Sequence, residues 1–216
     1  MDWWRRCVEN LDKGVFDGAG PFEIPQMQPV HIELVDGKLP IEMIGFNFAG
    51  RYAKPETAGV HFFLSDYQFS RVWSSPEIYQ QMLSRFRYVC TPDFSLYTDF
   101  PVAVQLYNHY RKHWLGAWWQ SFGMQVIPTV SWSDERSFDW CFDGDPIGGV
   151  VAVSSVGTQM NARSRELFYR GYNEMLQRLQ PEHILFHGDV PDGCRGSIIH
   201  IPPYQKRLRG IKPEVI

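Results

Sequence analysis

Met124-Gln125-Val126-Ile127-Pro128-Thr129-Val130-Ser131-Trp132-Ser133-Asp134-Glu135-Arg136 begins as a short apolar run and turns abruptly into hydroxyls and carboxylates. The run Val126–Val130 reads as a buried parallel strand, and Ser131–Arg136 as the same strand leaving the core at its carboxyl end. In α/β folds that end carries ligands and catalytic side chains. The competing reading is that Ser133 and Asp134 merely cap the next helix, as Ser and Asp often do. The stretch continues to Gly144, with a short helix expected around Ser137–Phe142.

Outward from this stretch the same alternation repeats. Apolar runs near Met43–Asn47, Val60–Leu64, Tyr88–Thr91, Val150–Val153 and Ile184–Phe186 read as further strands. Between them lie helices: one after Ser75-Pro76-Glu77, where Ser is the expected N-cap and Ile78, Met82, Leu83 and Phe86 the expected buried side, then Phe100–Phe122 and Arg163–Gln180. The long helix Phe100–Phe122 carries Ala103, Tyr107, Tyr110, Trp114 and Trp118 on one face. Val30–Val35 alternates like a strand before the turn Asp36-Gly37, and Ile198–Ile201 reads as a last strand.

Strands separated by helices of this length imply a parallel sheet covered by helices. A small or incomplete (β/α) barrel-like domain and an open doubly wound sheet both fit. The barrel is favoured because nearly every strand ends in small polar or acidic groups, at Asn47, Asp66, Asp93, Ser131, Ser154 and His187. A barrel gathers such ends on one rim, whereas an open sheet concentrates function at one switch point. The expected organisation is an N-terminal arm or cap over 1–40, the α/β domain over 41–201 and a basic tail over 202–216 with Lys206, Arg207, Arg209 and Lys212.

The 216 residues suffice for one sizeable core, and 44% hydrophobic with 21% charged residues is ordinary for a soluble globular chain. A net charge of −3 argues against holding duplex DNA by overall field, although the basic tail would contact phosphates if nucleic acid is a partner. Four dispersed cysteines, Cys7, Cys90, Cys141 and Cys194, form neither a zinc ribbon nor a disulfide framework, so reduced thiols and a cytoplasmic location are expected. The N-terminal residues lack the apolar region of a signal peptide, and no run approaches the ~18 apolar residues of a membrane span, so no membrane partner is expected.

Paired carboxylates are the best chemical candidates. Asp93 follows the third regular strand and Asp134 and Glu135 the fourth, so neighbouring strands would hold them across the rim. Two carboxylates of different environment suit acid–base work at a glycosyl or nucleosidyl carbon, while solvated loop acids and helix caps are the bland alternative. Asp93, between Pro92 and Phe94, should have its pKa raised by partly apolar surroundings, and Asp134, beside Arg136, should stay ionised. Asn47, Ser95, Tyr97, Ser131, Trp132, Ser154, Ser155, His187, Asp189 and Arg195 are the strand-end and loop groups expected to hold a small or nucleotide-like ligand, with Trp132 offering a stacking face. The glycine-spaced loop Gly188–Gly196, with Arg195, sits where barrels often bind phosphate. His109 and His113 have metal-ligand spacing, but they lie opposite the aromatic stripe and an exposed face is the favoured reading. No metal and no cofactor are expected.

The series Gly45-Phe46-Asn47-Phe48-Ala49, Thr91-Pro92-Asp93-Phe94-Ser95-Leu96-Tyr97, Ile127–Asp134, Phe138-Asp139-Trp140-Cys141-Phe142 and Val153-Ser154-Ser155-Val156-Gly157 resembles a domain-of-unknown-function family of phage, prophage and mobile-element proteins. The resemblance spans Gly45 to Asp189 and implies a phage or mobile-element context, without implying an activity or catalytic residues. Two functions are therefore expected in competition. One is a barrel-type enzyme acting on a glycosyl or nucleosidyl bond of a nucleotide or nucleic-acid substrate. The other is a non-catalytic ligand- or partner-binding protein.

Overall fold

The structure, a computed structural model, describes residues 13, 14 and 16–201, so Cys7 and the basic tail lie outside the described residues. A short antiparallel pair, β1 (Gly18–Ala19) with β2 (Ile24–Pro25), precedes the main fold. Then follow β3 (Glu42–Gly45), α1 (Phe46–Ala49), β4 (Ala58–His61), α2 (Arg71–Ser74), α3 (Pro76–Leu83), β5 (Tyr88–Cys90), α4 (Val102–Ser121), β6 (Val126–Ile127), β7 (Val150–Ser154), α5 (Ala162–Leu179), β8 (His183–His187) and β9 (Ile198–Ile201).

The main strands form two parallel sheets, in the orders β3-β4-β5-β6 and β7-β8-β9. An isolated parallel bridge between Thr129 and Ala152 joins them, through Val130 N–H to Ala152 O (2.8 Å) and Ala152 N–H to Pro128 O (2.8 Å). Pro128 has no N–H to give the ladder, which is why β6 stops after two residues. Beyond it, side chains take over the pairing with β5: Thr129 N–H donates to Thr91 Oγ1 (2.8 Å) and Thr129 Oγ1 donates to Thr91 O (2.6 Å), all buried. The expected six parallel neighbours are thus present, with β9 as a seventh, but in two sheets stitched at one bridge. Among the described residues no backbone pairing joins β9 to β3.

Alternation along the strands divides the core. Ile44, Val60, Val89 and Val126 face α4 and the α2–α3 pair, against Trp73, Leu83, Leu115 and Trp119. Val151, Val153, Ile184 and Phe186 face α5, against Phe168, Tyr172 and Met175. The opposite faces meet in a third cluster that draws Met43, Cys90, Ile127, Ala152, Leu185 and Ile201 from strands of both sheets.

Several local expectations change. Val30 and Ile32 are buried in alternation, yet 30–34 forms no strand; Val30 O instead accepts from Val150 N–H at the foot of β7 (2.8 Å). Asp36 and Gly37 do form the tight turn, with φ of +50° and +70°. In α3, Ser75 makes no side-chain cap bond and Ile78 is 67% exposed, so the buried side is narrower than its periodicity implied. Glu135–Asp139 is a 3-10 turn rather than the later helix expected. The largest reversal is in α4: the face with Gln105, Asn108, His109, Lys112 and His113 is buried, while Tyr107, Tyr110 and Trp118 are only partly covered. Among the described residues no helix is long and apolar enough to cross a membrane.

Candidate functional site

A cavity of about 660 Å³ opens at the carboxyl ends of the strands. The chain leaving β4 contributes Phe63, Leu64, Ser65 and Gln68; that leaving β5 contributes Asp93 and Ser95–Thr98. Val130–Ser133 follow β6, Ser154 and His187 end β7 and β8, and the first turns of α5 add Ser164, Leu167 and Phe168. The volume lies within the range of small-molecule sites.

The Asp93 loop is held from two sides. Asp66 accepts from Ser95 N–H (3.1 Å) and from Ser95 Oγ (2.8 Å), while Asn108 Nδ2 donates to Ser95 O (2.7 Å). The Arg111 guanidinium lies 3.6 Å from the Phe94 ring centroid. Lys112 is 1% exposed and donates to Thr129 O (2.9 Å), with Ser131 Oγ at 3.5 Å. Among the described lining residues Asp93 is the sole carboxylate. Burial pushes it up to about 6, against the opposing charge of Lys112 and with help from Asp66.

Asp134 and Glu135 are placed elsewhere. Asp134 caps the 3-10 turn, accepting from Arg136 N–H (3.1 Å), and pairs with the Arg136 guanidinium (2.6 Å). Those bonds hold its carboxyl below the usual range, so the two acids diverge in the directions expected. Glu135 pairs with Arg170 at 2.5 Å on the surface. Neither lines the cavity, and the capping geometry foreseen as the alternative for Asp134 is present.

Of the other candidates, Ser95, Tyr97, Ser131, Trp132, Ser154 and His187 line the cavity; Asn47, Ser155, Asp189 and Arg195 do not. Ser155 Oγ donates to Asp189 O (2.6 Å), and Tyr169 and Tyr172 donate to Asp192 O and Arg195 O (both 2.7 Å). The loop 188–196 is therefore fastened by its carbonyls. Trp132 packs against Phe168, with ring centroids 5.6 Å apart, and lies on Gly171 of α5.

Two imidazoles meet in a tilted contact where β4 and β8 end. His61 and His187 have ring centroids 5.0 Å apart, and Phe63 stacks on His187 at 4.8 Å. Burial holds His61 down to about 3, with His187 adding to the effect, and holds His187 down to about 4, with His200 contributing. Both are neutral at physiological pH. Ser154 Oγ lies 3.4 Å from His187 Nδ1 and accepts from Val156 N–H (3.2 Å). Ser133 Oγ is buried without a hydrogen-bond partner.

Lys112 and His61 are the neighbours that sequence reasoning passed over, and Asp66 is one that it places on the rim without making it a site residue. One signal for Lys112 existed: α4 is a 20-residue helix without a single carboxylate, unlike the mixed-charge face of a solvated helix. His109 and His113 are core residues, bonded to Asp143 O (3.0 Å) and Asp145 Oδ1 (2.9 Å). Among the described residues no group of three or more His, Cys, Asp or Glu is placed to hold a metal.

The profile of the family described as Domain of unknown function (DUF4417) matches residues 16–205. The Gene 1 protein of Mycobacterium phage L5 is 40% identical over 199 residues, covering 90% of this chain and 84% of that protein. The Gene 1 protein of Mycobacterium phage D29 is 39% identical over 199 residues, covering 90% and 72%. No solved structure matches the chain significantly.

Proposed function

The chain belongs to the DUF4417 family, with relatives in two mycobacteriophages, and from that premise we propose that it is a phage enzyme acting on a glycosyl or nucleosidyl bond. Asp93 is the general acid, protonating the departing oxygen or nitrogen as the bond to the anomeric carbon breaks. Water attacks the carbon and the proton it sheds passes to solvent or to the His187–Ser154 pair. The observation that carries this reading is the position of Asp93, alone as an acid in a hydroxyl- and aromatic-lined cavity at the strand ends. Asp66 behind Ser95 favours retention of its proton, and Lys112 restrains it.

The scaffold of the proposal is an incomplete (β/α) barrel over 41–201, with the preceding segment as its cover. Three features support it: the strands run in sequence order, one apolar cluster draws on both sheets, and His61 touches His187 although β5, β6 and β7 lie between their strands. Four strand spacings in a flat sheet would separate β4 and β8 by about 19 Å. The positions of Asp134 and Glu135 favour a second reading, a non-catalytic binding protein, because the lining then lacks the second carboxylate of the usual glycosidase pair.

Mass spectrometry of small molecules carried by natively purified protein, before and after incubation, tests the choice. The enzymatic reading expects a glycoside or nucleoside to be consumed by the wild type and retained intact by Asp93→Asn. Equal turnover by Asp93→Asn, or a ligand that never changes on the wild type, establishes the binding protein instead.

A further inference from the structure

The charge and hydrogen-bonding capacity of the cavity define what fits inside. Among the described residues no Arg or Lys lines it, and its one carboxylic acid there, Asp93, is negative or neutral but never positive. Lys112 does not line the cavity and is engaged with Thr129 O and with the Oγ of the lining residue Ser131. The first turn of α5 reaches the cavity through Ser164, whose N–H already donates to Asn161 Oδ1 (2.9 Å). A phosphate placed here would meet a carboxylate and, among the described lining residues, no cation to pair with directly, while the charge of Lys112 already acts on Asp93. That costs free energy in a partly desolvated site.

Neutral polar chemistry is abundant, and one group lacks a protein partner. Ser133 is 4% exposed, lines the cavity, and its Oγ makes no hydrogen bond. A buried hydroxyl left unmade is costly, and a turn about χ1 toward the cavity would give it an occupant as partner. Beside it the Trp132 indole is fixed between Phe168 and the bare backbone of Gly171, presenting a rigid face to a planar group. Resting on the reading of this cavity as the ligand site, we infer that it takes an uncharged nucleoside without its phosphate, and that the Ser133 hydroxyl is a specificity-determining contact.

The test is calorimetric titration and thermal shift of the full chain with adenosine, guanosine, cytidine, uridine and thymidine, and with their 5′-monophosphates. At least one nucleoside binds, and its monophosphate binds about tenfold more weakly or worse. Ser133→Ala weakens that nucleoside roughly fivefold to tenfold, while the ligand-free melting temperature is unchanged or higher, because an unsatisfied group has been removed. A monophosphate that binds as tightly as its nucleoside, or the absence of any nucleoside binding, overturns the inference. Ser133→Ala that lowers the ligand-free melting temperature and leaves affinity unchanged makes the hydroxyl structural and overturns its assigned role. The parent reading fails separately: nucleoside binding that persists while Asp93→Asn leaves turnover unaltered removes the acid catalyst but keeps the ligand class. Phosphate-tolerant binding with an inactive Asp93→Asn does the reverse.

Discussion

His113 Nε2 lies 2.9 Å from Asp145 Oδ1, with both side chains wholly excluded from solvent. The other ring nitrogen, Nδ1, is 3.0 Å from His109 O, so both nitrogens of His113 face oxygens. A carbonyl can only accept, which puts a proton on Nδ1; the second proton sits on Nε2 or on Asp145. The pair anchors α4 to the 143–145 segment.

Removing one partner strands the other in the core. Asp145→Ala should cost about 3–5 kcal/mol, the range for breaking a buried pair. Asp145→Asn can still donate an amide hydrogen to Nε2 of a neutral His113, so its cost should be nearer 1 kcal/mol, about one hydrogen bond. Urea unfolding of both variants measures the difference. Equal losses would mean that the amide does not replace the carboxylate and that the charge both variants remove is what holds the site.

Asp93 makes stability depend on pH. Burial, opposed by Lys112 and aided by Asp66, raises its pKa from 3.8 to about 6. The folded chain therefore holds this proton more tightly than the unfolded chain. Below about pH 4 both forms carry it and the site imposes no penalty; as pH climbs to about 6 the unfolded form ionises first. Above about 6 the folded protein bears a poorly solvated carboxylate. Asp93→Asn should thus gain on the wild type as pH rises from about 4 to about 6, by the order of 1–3 kcal/mol, and hold that gain at higher pH. Unfolding curves across that range check it, and a difference independent of pH would contradict the buried carboxylate.

Gly171 should reverse a familiar rule. Gly→Ala inside a helix ordinarily stabilises by up to about 1 kcal/mol. Here a Cβ would fall 2.3 Å from Trp132 Nε1, so the indole must leave its seat on α5. Gly171→Ala is expected to lower stability by about 1–3 kcal/mol and to weaken cavity binding. A raised melting temperature would show that Trp132 has room to move.

The strands were readable because apolar runs such as Val126–Val130 and Val150–Val153 are buried on both faces and bounded by polar ends. Alternation at Val30 and Ile32 reported burial correctly but could not show that Val30 O would bond β7 rather than form a strand. Helical spacing placed His109 and His113 on one face of α4, the face that also carries Lys112, yet it does not say which face turns inward when the opposing wall is polar. That wall is made of Thr129 O, Ser95 O and Asp145, contributed by distant segments. Asp134 looked equally apt as a catalyst and as a cap, and its bonds to Arg136 place it on the 3-10 turn. The loop 188–196 stands out in the sequence by its glycine spacing, but none of its residues lines the cavity; Tyr169 and Tyr172, 23 residues away in each pair, tie its carbonyls to α5.

Lys112 should govern how readily Asp93 keeps its proton. It comes from α4, is almost fully buried, and among the charges acting on Asp93 has the largest effect, opposing that of burial. Lys112→Met keeps the length of the side chain and removes the charge. Asp93 then faces burial and Asp66 without a counterweight, so its titration midpoint should move above about 6, and any acid-dependent turnover should persist to higher pH. The same change deprives Thr129 O of its donor, with a stability loss of about 1–3 kcal/mol. Lys112→Arg separates the two effects, because it preserves the charge while disturbing the hydrogen bond. Carboxyl carbon resonances followed through a pH titration, assigned with Asp93→Asn, give the midpoint directly. An upward shift in Lys112→Met that is absent in Lys112→Arg establishes the electrostatic coupling. An unchanged or lower midpoint in Lys112→Met would reduce Lys112 to a structural strut between α4 and the end of β6.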